Sequence, residues 1–408
     1  MERVGASAPL TMRFLANAPH RLLFAVGAGN VLLAMLWWAA WLVATRWQLA
    51  AMPQPDVYAG WVHAIVMQYQ VLAPFMFGFL LTVFPRWMGL DDLTRWHYVP
   101  VGVGLFGGQL LTLAGALGPA HLLHLGALLT VAGWATGLLY LLRWLWQDAG
   151  RTWHALSCGG ALLLGFAGFL CYLVFLHTGN ARLIFAAIKI GTFGLLLPVY
   201  FTVAHRMFPF FAGNVVAGYR PWRPMWLLAA FWPLALAHLA LELVHAYGWL
   251  WLPDAGLLAL ACAWLWRNWP RGAAPLVLKV LFWGYAWLPV ALLLYALQSA
   301  VYLGGGGFTL GRGPAHALFV GFFGSLLVAM VTRVTQGHSG RPMAFGGAAV
   351  FAFVVIQVVA VLRVLAELLP DLYLWHAVAA IGWVLAFAPW VLRSLRIYTT
   401  PRADGRPG

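Results

Sequence analysis

The sequence predicts an all-α, polytopic membrane protein of about twelve transmembrane helices, and three observations predict it. Of 408 residues, 63% are hydrophobic and only 8% charged, against roughly 25% charged in a soluble domain. Apolar runs long enough to cross a hydrocarbon core of about 30 Å, which takes about 20 residues, recur from end to end. The runs are continuous rather than alternating, so the spans are helices and not barrel strands.

Pro, Gly, Arg and Asp punctuation places the spans at approximately 21–45, 58–84, 98–118, 121–142, 154–177, 183–205, 225–247, 249–266, 275–302, 314–336, 344–368 and 372–396. The first lies between Arg21 and Arg46, with no small-residue cleavage site before it, and is expected to be retained. Spans 3 and 4 meet at Gly118-Pro119, and spans 7 and 8 at Gly248. Spans 2, 6 and 10 end alike: Thr82-Val83-Phe84-Pro85-Arg86, Thr202-Val203-Ala204-His205-Arg206 and Val331-Thr332-Arg333. A spacing of four helices between them suggests three arcs of four, although any inward-running helix tends to end in arginine. Residues 1–400 read as one transmembrane domain and 401–408 as a disordered cytoplasmic tail.

The net charge of +14 is spread in small groups between apolar runs, which is topology rather than a nucleic-acid patch. Eighteen arginines fall on the side of the termini, against Arg46, Arg182 and Arg312 on the other. Positive residues are retained inside, so both termini are expected in the cytoplasm. Cys158, Cys171 and Cys262 are isolated and form no metal or disulfide pattern.

Thirteen histidines need explaining in so apolar a chain. At an interface the ring reaches water, so His20, His97, His121, His124, His154, His177 and His376 read as solvated helix ends. Deeper polar groups are costly, about 2.5–3.5 kcal/mol for a central charge, and mark function by default. His63 and His316 lie within about two turns of the outer ends of spans 2 and 10. That depth suits a haem held between two neutral imidazoles; the alternative is a pair of helix-end histidines bonded to water or backbone.

On span 7, His238, Glu242 and His245 recur at spacings of four and three, which places them on one helical face. Two histidines and a carboxylate can hold copper or iron, relay protons, or glue helices together. His205 on span 6 is a further candidate metal ligand, and Lys189 a candidate partner of Glu242. Arg206 and Arg333, on the cytoplasmic side, can clamp haem propionates or anchor to lipid phosphates. Arg363 and Glu367 read as a simple i,i+4 ion pair.

With those residues in view, the chain resembles the NnrS family of membrane proteins. The matching stretches are APHRLLF at 18–24, GFLLTVFPRWMG at 78–89 with His63 upstream, LLPVYFTVAHRMFPFF at 196–211 and HALFVGFFGSLLVAMVTRVTQGHSGRPM at 316–343. The resemblance implies a twelve-helix bacterial inner-membrane protein with haem b and copper, linked to denitrification and to resistance against nitric oxide. Its partners would be the lipid bilayer, nitric oxide and a respiratory electron donor. One departure stands out: where many members carry His-x-His-Glu, this chain has His63-Ala64-Ile65-Val66, which puts in doubt any metal site using the second histidine and the glutamate. By analogy alone, the arrangement is also similar to the catalytic subunit of haem–copper oxidases and nitric oxide reductases, with twelve helices in three arcs.

One haem between His63 and His316 is therefore the expectation, with nitric oxide bound or turned over at the iron. A proton-coupled transporter using His238, Glu242, His245 and Lys189 is the alternative, and a cofactor-free sensor or assembly factor a third.

Overall fold

The computed structural model describes residues 12–49 and 56–405. Twelve helices in it are long and apolar enough to cross a membrane, and no strand occurs among the described residues. They are α1 (Pro19–Trp47), α2 (Ala59–Met88), α3 (Arg95–Gly115), α4 (His121–Gln147), α5 (Trp153–Thr178), α6 (Ala181–Gly213), α7 (Met225–Leu243), α8 (Tyr247–Asn268), α9 (Leu276–Leu303), α10 (Gly313–His338), α11 (Gly347–Leu365) and α12 (Leu372–Tyr398). This is a multi-pass membrane protein. Successive helices alternate in direction, so α1 starts and α12 ends at the arginine-rich end.

Local chemistry sets the helix limits. Pro19 opens α1 at a position whose N–H has no helical partner. Thr94 and His97 cap α3 reciprocally, so His97 serves the backbone. The Asp371 carboxylate accepts the Leu374 N–H at the start of α12. Span 7 is shorter than the sequence suggests. It stops at Leu243, because His245 adopts a left-handed φ of 57° and the chain turns at once into α8. In the polar tail, the Ala403 N–H donates to Ser339 O at 2.9 Å; residues 406–408 lie outside the described residues.

Three arcs are present. α2 packs on α1, α3 and α4, α6 on α5, α7 and α8, and α10 on α9, α11 and α12, while α1 against α12 closes the ring. α2 and α10 are the most enclosed, with 89% of their most apolar stretch inside the protein. α2, α6 and α10 share a feature the sequence did not reveal. Each contains a π-helical segment, Val66–Val71 in α2, Ile190–Leu196 in α6 and Ala317–Gly324 in α10. π turns are rare and gather at functional sites.

The freed backbone groups find partners. Asn30 of α1 donates to the Gln70 carbonyl at 2.7 Å, and the Gln70 amide donates to Thr112 and Thr130 at 3.0 and 2.9 Å. The α2 and α6 segments dock on each other, with Tyr69 Oη donating to Ala187 O at 2.6 Å and Gln68 Nε2 to Thr192 Oγ1 at 3.3 Å. Small residues let backbones approach elsewhere, as membrane helices require. A Cβ added at Gly104 of α3 would stand 2.4 Å from Gly133 Cα of α4.

Candidate functional site: a histidine-lined cavity between six helices

A cavity of about 330 Å³ opens in the half of the bundle away from the termini, between α1, α2, α6, α10, α11 and α12. Its volume lies at the lower end of the range of about 300–1,000 Å³ for ligand pockets. His63, His316 and His376 line it from three different helices, together with Arg312, Arg363 and Lys189. Trp38, Trp61 and Trp383 supply much of the remaining wall.

His63 stacks on Trp38 at 4.4 Å between ring centres, and its ring makes no hydrogen bond among the described residues. His316 is fixed more tightly. Its Nδ1 lies 2.9 Å from the Arg312 carbonyl, which can only accept, so Nδ1 carries the proton and Nε2 the lone pair. Arg363 Nη2 lies 2.8 Å from Nε2 and 3.1 Å from Nδ1, over the face of the ring, so the lone pair stays free. An imidazole whose other nitrogen donates to a backbone carbonyl is the usual second-shell arrangement of a metal-binding histidine.

His376 is the residue that sequence reasoning missed. Read as a solvated helix end, it is 9% exposed and shares the cavity. Its Nε2 lies 3.4 Å from Glu367 Oε1, which in turn is 3.8 Å from Arg363 Nη2. The expected ion pair is therefore one side of a cluster that reaches His316. Burial pushes the Glu367 carboxyl up, but His376, the Arg312 N–H and Arg363 outweigh it and hold it below the ordinary carboxylate range.

From Lys189 a buried polar chain leads away from the cavity. Lys189 Nζ donates to Glu242 Oε1 at 2.8 Å, as expected. Glu242 Oε1 is 3.6 Å from His238 Nε2, and His238 Nδ1 is 2.6 Å from Asp254 Oδ1 of α8. Asp254 is fully buried; it was overlooked because it lies just beyond a hairpin that reads as surface. His245 does not belong to this face. Beyond the end of α7, it is exposed and paired with Tyr247 Oη at 2.6 Å. The helical spacing failed because the helix it assumes stops two residues earlier.

Three other expected site residues sit at the opposite end. Arg333 follows His316 by seventeen residues on α10, roughly 25 Å at about 1.5 Å per residue. Its guanidinium lies 3.9 Å over Phe211. Arg206 stacks over Trp87 at 4.4 Å, and His205 meets His154 of α5, Nδ1 to Nε2, at 2.9 Å. Neither arginine lines the cavity that His63 and His316 share; Arg312 and Arg363 do. His205 likewise stands apart from His238. Among the described residues, no three His, Cys, Asp or Glu side chains converge as a metal site.

A family model described as NnrS protein matches residues 14–402, nearly the whole chain. No curated protein matches.

Proposed function

We propose, from the premise that the chain belongs to the NnrS family, that it is a haem protein of the bacterial inner membrane that protects against nitric oxide in a denitrifying setting. The observation that carries this reading is the meeting of His63 and His316 in one aromatic cavity edged by Arg312 and Arg363. Two imidazoles suffice for an iron whose other four donors come from a porphyrin, and are a small set for a bare copper ion.

His63 and His316 would hold a b-type haem; nitric oxide, a small neutral gas soluble in the bilayer, would bind ferrous iron there only in place of one of the two imidazoles. The Arg312 carbonyl keeps His316 in the tautomer that leaves Nε2 free to ligate. Arg363, over the face of the His316 ring, and Arg312 are placed to pair with the carboxylates of the ligand. Arginine asymmetry orients both termini to the cytoplasm, so the cavity opens in the outer half. Copper, which the family resemblance implies, is not placed at the helix 7 cluster: His238 Nε2 and Glu242 Oε2 have no hydrogen-bond partner, but among the described residues no three metal-binding side chains converge there.

That same chain favours a second reading, a proton-coupled transporter in which Lys189, Glu242, His238 and Asp254 carry the proton. An optical spectrum of the purified protein, with iron and copper assayed on the same sample, separates the two. The haem reading expects a Soret band with sharp reduced bands, lost in His63→Ala and in His316→Ala and kept in His121→Ala. Loss in His376→Ala and not in His316→Ala would move the ligand to α12. A folded preparation that stays colourless when haem is supplied overturns the reading.

A further inference from the structure

We propose that the arginine-rich end carries an anion site that takes a phosphate group, on a hollow between α2, α5, α6 and α7. The hollow has a volume of about 490 Å³. Arg151, Arg206 and Arg223 line it, and no Asp or Glu does. None of the three forms an ion pair with a carboxylate among the described residues. Three cations facing one space with no carboxylate between them favour an anion there.

Two helix starts add to the field. α5 begins at Trp153 and α7 at Met225, and the first residues of both line the hollow. Helix N-termini carry partial positive charge and free N–H groups, the recurrent setting for phosphate.

The arrangement is prepared before the anion arrives. His205 Nε2 lies 3.3 Å from the Pro224 carbonyl, so that nitrogen must carry the proton. His205 Nδ1 then accepts from His154 Nε2 at 2.9 Å, which leaves His154 Nδ1 to accept from Arg206 Nη1 at 3.4 Å. Every hydrogen bond in the series Arg206, His154, His205, Pro224 runs in one direction, with both rings neutral. Trp87 holds the same guanidinium flat from one side. Arg206 therefore presents its remaining donors in a fixed fork, the geometry that suits two phosphate oxygens. His154 and His205, both buried, position Arg206 rather than contact the ligand. Basic pockets between membrane helices at the cytoplasmic side commonly take lipid headgroups, and free phosphate shares the same chemistry.

The test uses the full-length protein, delipidated in detergent, with native mass spectrometry and titration. The probes are phosphatidic acid, phosphatidylcholine and inorganic phosphate. Phosphatidic acid retained over phosphatidylcholine and not displaced by phosphate identifies a lipid headgroup; phosphate that binds and competes identifies a free anion. In either case Arg206→Gln and Arg223→Gln each lower affinity about tenfold, the scale of one charge-assisted hydrogen bond, and Arg143→Gln, exposed and outside the hollow, does not. Arg206→Lys keeps the charge and loses the fork, and binds more weakly than the native protein. Arg223 is exposed, so its variant folds even where Arg206 variants do not. Binding no stronger than for phosphatidylcholine, or an equal loss in Arg143→Gln, overturns the proposal.

Discussion

Arg363 Nη2 lies 2.8 Å from Nε2 and 3.1 Å from Nδ1 of His316, a buried guanidinium resting on the face of a half-buried imidazole. Arg363 Nη1 has no partner in the surrounding protein, so the ring face is a main support of the guanidinium. His316→Ala removes that face, and should cost about 1–3 kcal/mol in the haem-free protein. His316→Phe, which keeps an aromatic face for the cation, should cost clearly less. Denaturant unfolding in detergent reads both; equal losses would mean that the ring face does not hold the arginine.

Lys189 and Glu242 pose the same question across α6 and α7. Their side chains are 25% and 4% exposed, so the pair is shielded on the carboxylate side. Lys189→Met leaves Glu242 facing only His238, and a loss of about 3 kcal/mol is expected, at the low end for broken buried pairs. The double variant Lys189→Met with Glu242→Gln should recover most of it, because no charge is then left alone. A double variant as unstable as the single one contradicts this.

The closeness of α3 and α4 predicts a contrast between two glycines. Gly104→Ala drives a methyl into the Gly133 backbone and should cost about 1–3 kcal/mol. Gly160 of α5 has nothing within 4 Å of an added Cβ, so Gly160→Ala should cost nothing. Thermal unfolding of the two variants is sufficient, and similar melting points would count against the packing described.

Arg46 and Asp371 pair at the end of the bundle away from the termini, with Nε 3.0 and 2.9 Å from the two carboxylate oxygens. The hydrogen bond from Arg46 holds the Asp371 carboxyl below the ordinary carboxylate range. A depressed folded value means that the contribution is complete above the unfolded value of about 3.9 and disappears as pH falls through the depressed one. Asp371→Asn keeps a side chain that caps α12 and tolerates the left-handed φ of 60°. The melting-point gap between native and variant should thus be present at neutral pH and close in acid. A gap that widens on acidification has the wrong sign.

Run length alone makes the twelve spans readable, since the bilayer fixes how many apolar residues a helix needs. Depth along a span singles out His63 and His316, and the structure puts both on one cavity. His376 has the same composition around it as a wetted helix end; its burial comes from neighbouring helices, a tertiary fact that no single span records. His245 was misplaced because periodicity assumes an unbroken helix, and one left-handed residue breaks it. For Arg206 and Arg333, charge says which end a residue occupies, and the cavity lies at the other. The partnership of His154 with His205 joins two helices whose facing sides the sequence does not specify.

Each π segment spends one residue more than an α-helical turn of the same rise. Excising a single residue from Val66–Val71, Ile190–Leu196 or Ala317–Gly324 would turn that segment into an ordinary α-helical turn and keep the two halves of the helix in phase, whereas the same deletion in a plain α-helical stretch swings everything downstream by about 100°. The π segments are thus the places where these three helices can change length by one residue without re-aiming the side chains at either end.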